Sequence, residues 1–278
     1  MPPRAKREPA MPRQDETARE AAAAPAGDLQ VLTRSAQILR HLGQTRVPLR
    51  AAEIAPVVGL TRTTAHRYLT SLEAEGFLSR DQDGGYGLGP LLVELGAVAM
   101  SGQRVIDVAD EFLERLGAMV QQTVVLSLWG GIGPVVAMEQ VPPHQLVKIS
   151  IQVGNRLPLE SAQGLVFLAF MGGRRDQLLA QLTPGERTEI VNQLDDVVVT
   201  GLAINDRVTD GIRAIAAPVW DASGRICATL ALVGTIHVLP ADPESTAAMS
   251  LLDTARRLSA ALGLTGAPPP RVSNGAAG

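Results

Sequence analysis

The chain has 278 residues, 46% of them hydrophobic, and a formal net charge of -3, enough for two domains that each bury a core. That charge excludes a protein that coats nucleic acid by bulk field, and the single Cys227 excludes an internal disulfide or a multi-cysteine zinc site and fits a reducing compartment. No apolar run reaches the length of a bilayer span and the polar start lacks a signal-peptide core, so a soluble, cytoplasmic protein is expected.

Residues 1–27 mix Pro, Ala, Arg and Glu without period, and Arg4, Lys6 and Arg7 are offset by Glu8, Asp15, Glu16 and Glu20; a disordered tail is expected there. Residues 31–43 place Val31, Ile38, Leu39 and Leu42 at helical spacing, with Thr33 or Ser35 near the start and Gly43 as the stop. Residues 49–69 then read as two short helices joined by a turn at Gly59. Ile54, Val57, Leu60, Ala65, Leu69 and Leu72 form the apolar stripe that holds them, while Arg62, Thr63, Thr64, His66 and Arg67 line the other face. Asp83-Gly84-Gly85, between short apolar runs, signals a hairpin in which both glycine-side turn positions take positive φ. Three helices and a hairpin make a winged helix-turn-helix over residues 28–89.

Residues 91–100 form an apolar helix too exposed to stand alone, suited to connect domains (90–102) and to pack on a second subunit. A further amphipathic helix covers 105–119. Strands are expected at 123–129, 134–141, 146–153, 211–220 and 225–233, and helices at 161–171, 176–182, 184–194 and 241–262. Regular strand–helix alternation is absent, so residues 103–264 read as a ligand-sensing α/β domain rather than a doubly wound sheet, and the whole chain as α+β. Residues 265–278, rich in Pro, Gly and Ala, read as a second disordered tail.

The chemistry concentrates on the second short helix. Thr61 is placed to cap it, which lets its first turn enter the major groove. Arg62, Thr63 and Thr64 are candidates for base or adjacent phosphate contacts, and Arg67, one turn on, for phosphate. His66 either faces the groove or hydrogen-bonds within the domain. Arg80 at the wing base and Arg50 before the first short helix are phosphate candidates, with Arg34 and Arg40 carrying less weight. A polar face alone could be a solvated surface; the turn, support helix and wing together point to DNA.

No nucleophile elbow, metal-binding His-Glu-x-x-His or phosphate loop is present in the sequence. Gly130-Gly-Ile-Gly133 leads from strand to strand and reads as a turn. Histidines 41, 66, 144 and 237 show no metal-binding spacing, and Cys227, in an alternating strand, reads as a small core residue rather than a nucleophile. No cofactor is expected.

Taken together, Gly59-Leu-Thr-Arg-Thr-Thr-Ala-His-Arg67, Leu72-Glu-Ala-Glu-Gly-Phe77 and Tyr86-Gly-Leu-Gly89, followed by Gly154-Asn-Arg-Leu-Pro-Leu159 and Gly211-Ile-Arg-Ala-Ile-Ala-Ala-Pro-Val219, resemble the two halves of the IclR family of bacterial transcriptional regulators. The resemblance implies a winged helix-turn-helix, a connecting helix and a C-terminal GAF-like domain that binds a small molecule. It also implies dimers or tetramers on a pseudopalindromic operator, and by family habit a repressor. It places the ligand site at Ala162, Gln163 and Gly164, whose amides open a helix. Further positions carried over are Leu146, Ile149 and Leu157, then Asp206, then Ile212 and Ala214, and Ala231 and Val233.

Here the sequence departs from the family. The loop before Gly164 is one residue short, Leu165 stands where lysine is common, Ala214 where cysteine is common, and Ala231 and Val233 where relatives that sense small oxoacids carry serine. Loss of those donors leaves an anion under-satisfied, so a larger or more apolar effector is expected, held by burial; the competing reading is that these residues only pack the core. Two other functions stand beside DNA binding: a GAF-like enzyme using Cys227, and a protein-interaction module independent of DNA.

Overall fold

The computed structural model describes residues 29–143, 148–206 and 211–266; both expected tails lie almost wholly outside these, as does Leu146. The chain forms an α+β structure of two compact units, one ending at Leu92 and the other starting at Val93.

In the first unit, α1 (Gln30–Thr45), α2 (Ala51–Val57) and α3 (Arg62–Ala74) precede the strands β1 (Leu78–Arg80) and β2 (Tyr86–Leu88). Its core joins Ile38 and Leu42 of α1, Ile54 and Val58, Leu69 and Leu72 of α3, and Leu78 and Tyr86 of the wing. Neither Thr33 nor Ser35 caps α1, which begins after Leu29, and Gly43 lies inside the helix; the chain leaves it at Arg46, in the left-handed region at φ 55°. Val31 is exposed because the first turn of α1 projects beyond the core. Val57 is also exposed (57%) whereas its neighbour Val58 is buried (3%). The reason is that α2 stops at Val57, so the turn, not the helical stripe, decides which valine points inward. Gly59, at φ +64°, makes that turn in a conformation that a side chain disfavours.

β1 and β2 pair antiparallel from Leu78↔Leu88 to Arg80↔Tyr86. The connecting loop is longer than a two-residue turn. Asp81 donates its amide to the Gly85 carbonyl at 2.9 Å, its carboxylate accepts the Gly85 amide at 2.7 Å, and only Gly84, not Gly85, takes positive φ. An aspartate that caps the loop replaces the second left-handed residue.

α4 (Pro90–Ser101) buries none of its residues and exposes Val93, Leu95 and Val98. The second unit then follows with α5 (Arg104–Val120), β3 (Thr123–Trp129), β4 (Pro134–Gln140), α6 (Ala162–Phe170), α7 (Arg175–Leu179), α8 (Pro184–Thr200), β5 (Ala203–Asn205), β6 (Ile212–Trp220), β7 (Ile226–Thr235) and α9 (Thr246–Ala261). The strands form one sheet in the order β4-β3-β7-β6-β5, antiparallel throughout. Alternation along β3 and β7 sends Leu126, Leu230 and Leu232 to a core with Leu113 and Leu116 of α5 and Leu251 and Leu258 of α9. Ala216 and Ala231 face the opposite way, toward Leu165 and Leu168 of α6 and Ile190 and Leu194 of α8.

Several elements differ from the sequence expectation. Residues 148–153 carry no strand; apolar alternation there reflects packing of Ile149 and Ile151 on Val125, Val136 and Val233, not membership of the sheet. α8 runs on to Thr200 and ends at Gly201, φ +72°. α9 starts only at Thr246, where Ser245 accepts the Ala248 amide. β5, three residues long, is too short to leave a period.

Gly164 sits where α6 crosses the preceding loop: a Cβ there would run into the backbone carbonyls of Leu159 and Pro158. Gly164→Ala is therefore expected to destabilise the second unit by about 1–3 kcal/mol, the usual result of overpacking, read as a lowered denaturant midpoint. Cys227 is half-buried, and that burial, with the Asp221 carboxylate, pushes its thiol up to about 11. Since the folded value is raised, this contribution to stability is complete below the pKa of the unfolded thiol and is lost as pH rises through about 11. At pH 8 the native thiol should alkylate with iodoacetamide about a hundredfold more slowly than a free cysteine, because thiolate is the reacting form, and recover full reactivity in denaturant.

Candidate functional site

The first candidate site is the outer face of α3. Thr61 is its N-cap, accepting the Thr64 amide at 3.2 Å, so the start of the helix is fixed by a side chain rather than by fraying backbone. Behind the cap, Ala65, Leu69 and Leu72 are buried. With about 100° between successive residues, Thr63, Arg67 and Thr70 point opposite to them, flanked by His66. Arg62, Thr63, His66, Arg67 and Thr70 are all exposed.

Thr64 stands apart: it is half-buried and its hydroxyl is hydrogen-bonded to that of Thr61 at 2.9 Å; it lines a groove of about 450 Å³ with Val31, Ser35 and Tyr68, which Arg67 borders as well. Its side chain belongs to the cap and the groove rather than to the outermost face. His66 is exposed and its Nδ1 lies 3.4 Å from the Thr70 hydroxyl. Thr70, not foreseen from the sequence, joins the face by its i+4 relation to His66 and i+3 relation to Arg67.

The flanking cations divide. Arg80 is exposed with its guanidinium 5.3 Å from the centre of the Tyr86 ring, which holds the charge at the base of the wing. Arg50 is exposed before α2, its own amide donating to Glu53 at 2.7 Å. Arg40 is also exposed. Arg34 is structural: its guanidinium donates to the Val58 carbonyl at 2.5 Å and to Gln37 at 3.1 Å, fastening α1 to the turn that precedes α3.

The second candidate site is a cavity of about 90 Å³ in the second unit. Val125, Ile212, Ala214, Ala231 and Val233 form its wall on the sheet, Ile151, Leu157 and Pro158 close it, and Ser161, Ala162 and Gln163 meet it from the start of α6, with Asn205 at the end of β5. Seven of these positions coincide with those carried over from the family: Leu157, Ala162, Gln163, Ile212, Ala214, Ala231 and Val233. Three other described positions do not line it. Gly164 donates its amide to Ser161 Oγ at 3.1 Å and serves the close approach described above. Ile149 packs beside Val125 and Val233 without reaching the cavity, and Leu146 lies outside the described residues. Asp206 turns its carboxylate to Arg213 at 2.8 Å; its neighbour Asn205, one residue earlier, takes the lining position. Val125, Ile151, Pro158, Ser161 and Asn205 were missed. Strand parity with Ser127 could have found Val125, and Ser161 is the polar residue that opens an apolar helix.

The polar side chains on this cavity are engaged by the protein. Gln163 is buried, accepts the Ser127 hydroxyl at 2.6 Å and donates to the Val125 carbonyl at 3.2 Å. Ser161 donates to the Pro158 carbonyl at 2.6 Å while capping α6, and Asn205 donates to the Glu160 carbonyl. Among the described residues no cationic side chain lines the cavity: Arg213, on the neighbouring position of β6, is held by Asp206 and by the Leu239 carbonyl at 2.7 Å. The walls therefore offer burial and few free side-chain hydrogen bonds.

Two family models match the chain: the IclR helix-turn-helix domain over residues 31–82, and the bacterial transcriptional regulator IclR C-terminal domain over residues 97–260. The chain is 34% identical to the HTH-type transcriptional regulator Rv1719 of Mycobacterium tuberculosis, over 69% of this chain and 77% of that protein. It is 26% identical to the HTH-type transcriptional repressor AllR of Escherichia coli K12, over 86% of this chain and 92% of the repressor. Its fold matches the crystal structure of an IclR homolog from Microbacterium hydrocarbonoxydans complexed with 4-hydroxybenzoate, at TM-score 0.67 and 23% identity, covering 84% of this chain and 98% of that one. These relatives are transcriptional regulators, not enzymes, and no described helix is long and apolar enough to cross a membrane. The chain belongs to the IclR family: it is a DNA-binding transcriptional regulator that joins a helix-turn-helix domain to an effector domain.

Proposed function

We propose that this protein is a cytoplasmic repressor that binds a pseudopalindromic operator as a homodimer or tetramer and is controlled by a compact, chiefly apolar molecule held in the cavity beside α6. The observation that carries the DNA reading is the exposed set Thr63, Arg67 and Thr70 on the face of α3 opposite its buried stripe, flanked by His66, with Arg62 exposed at the helix start. Thr61 sets the helix start, Thr64 acts through that cap, and Arg50 and Arg80 flank as phosphate contacts. Repression is supported by the relative named as a repressor.

The domains are proposed as 28–89 for DNA, 90–102 as the connecting helix and 103–264 for the effector. Dimerisation is supported by α4, which buries nothing within its own chain and exposes Val93 to 74%; a two-fold pair also doubles the number of bases read.

For the effector, the engaged state of Ser161, Gln163 and Asn205 supports an uncharged or weakly polar ligand. Among the described lining residues a carboxylate meets no cation, and it would lose more hydration than these walls restore. The cavity volume of about 90 Å³ favours a compact molecule over a larger one, being below the roughly 150 Å³ of an engineered cavity that takes up benzene.

Arg62→Ala and Arg67→Ala should each weaken binding to the upstream region by about tenfold or more, the scale of one lost base or phosphate contact. Gel shift checks this; the Arg67 variant should also show a shallower salt dependence. Unchanged binding in both would remove this face from the interface. In calorimetry, phenol should bind more tightly than pyruvate or glyoxylate, with 4-hydroxybenzoate as the charged aromatic control; tight binding of the oxoacids alone would refute the apolar pocket.

A further inference from the structure

A ring the size of phenol needs more room than the cavity of about 90 Å³ gives, so for such a ligand to enter the cover must move, and the structure distinguishes a fixed part of that cover from a releasable part. Beyond Gly154, at φ +88°, the cover is tied to β4 by main-chain bonds. The Gly154 amide donates to Val136 at 2.8 Å, the Val136 amide to Asn155 at 2.9 Å and the Leu157 amide to Pro134 at 2.8 Å. Before Gly154, residues 149–151 lack secondary structure and are gripped by two side chains of the sheet. The hydroxyl of Thr123, itself buried, donates to the Ile149 carbonyl at 2.7 Å. Glu139 accepts the Ile151 amide at 2.5 Å and the Ser150 hydroxyl at 3.0 Å.

The register explains why these two residues act together. Val125, which lines the cavity, lies opposite Glu139 in the β3–β4 ladder, and Thr123 precedes Val125 by two, so all three side chains emerge on one face of the sheet. Two make the latch, and between them stands the wall of the cavity they close. Ile151, the residue whose amide Glu139 holds, supplies part of the lining.

We propose that residues 149–152 form a strap over the effector cavity, latched by Thr123 and Glu139 and opening about Gly154, and that release of this latch is the route by which the effector enters and leaves. Thr123 and Glu139 are thus positioning residues for effector binding, and this role rests on the cavity being the effector site. Breaking these side-chain bonds and one turn bond, from the Asn155 amide to the Gln152 carbonyl at 3.1 Å, opens 149–152 while 154–157 stay in place, as expected of a segment with low local stability.

The test uses the full-length protein with Ala231→Cys as a reporter inside the cavity and Cys227→Ala as background. Thr123→Val, which keeps the shape and removes the hydroxyl, and Glu139→Ala should each raise the rate of reaction with a water-soluble disulfide reagent by about tenfold, the order expected for loss of a hydrogen bond to a charged or buried group. Glu139→Gln, which keeps an acceptor for the Ile151 amide, should stay within about twofold of the parent, a difference small beside the loss of that bond. Amide exchange at Leu157 should not change. Unchanged labelling in Thr123→Val and Glu139→Ala, or a parallel rise in Leu157 exchange that signals general loosening, overturns the strap. In stopped flow with phenol, both association and dissociation should quicken with a smaller change in affinity; rates unchanged despite faster labelling would show that ligand takes another route and would overturn the latch as an entrance. Failure of the parent protein to bind phenol, 4-hydroxybenzoate or the oxoacids, with labelling accelerated, would instead reject the effector reading and leave the strap standing.

Discussion

A sheet whose central strands are apolar on both faces must be covered on both, and the way this chain meets that requirement determines where its ligand chemistry can sit. One face is closed by α5 and α9, whose leucines meet Leu126, Leu230 and Leu232. The other is covered by α6 and α8 over one part only. Over the remainder, Val125 and Val233 lie under irregular chain that brings Ile149, Ile151 and Leu157. Irregular backbone fills space less completely than a helix with a matching ridge, and the cavity is found at that seam.

Polar side chains on the same face, Thr123 and Ser127 buried and Glu139 half-buried, act as fasteners. Ser127 binds Gln163 and so seats the start of α6; Thr123 and Glu139 hold the irregular cover. Each polar group satisfied in this way leaves one fewer for a ligand, so the arrangement that stabilises the walls also makes them apolar.

The DNA-reading unit follows a parallel logic at smaller scale. Its helices are short, and their placement rests on caps and turns as much as on burial: Thr61 at the start of α3, Gly59 before it, and Arg34 tying α1 to the Val58 carbonyl. Arg34 is engaged within the unit through Nη1, whereas Arg40, Arg50 and Arg80 are exposed, so cations of similar sequence context end in different surroundings.

The reading helix was legible in the sequence because its signals are local. A capping threonine, an i, i+3, i+4 apolar stripe and a polar opposite face depend on residues within two turns of one another. The same holds for α5, β3, β6 and β7, each long enough to show its period. What lay beyond reach depended on contacts distant along the chain. Val58 rather than Val57 fills the core because a helix ends there; residues 148–153 alternate like a strand yet pair with none; Gln163 looks available for a ligand until Ser127, thirty-six residues away, is found bonded to it. The sequence by itself determined that this chain folds as a winged helix-turn-helix followed by an α/β effector domain, since local period and capping carry that information. Only the tertiary structure decided which polar groups remain free, because hydrogen-bond satisfaction in the interior is set by partners that the order of residues does not place side by side.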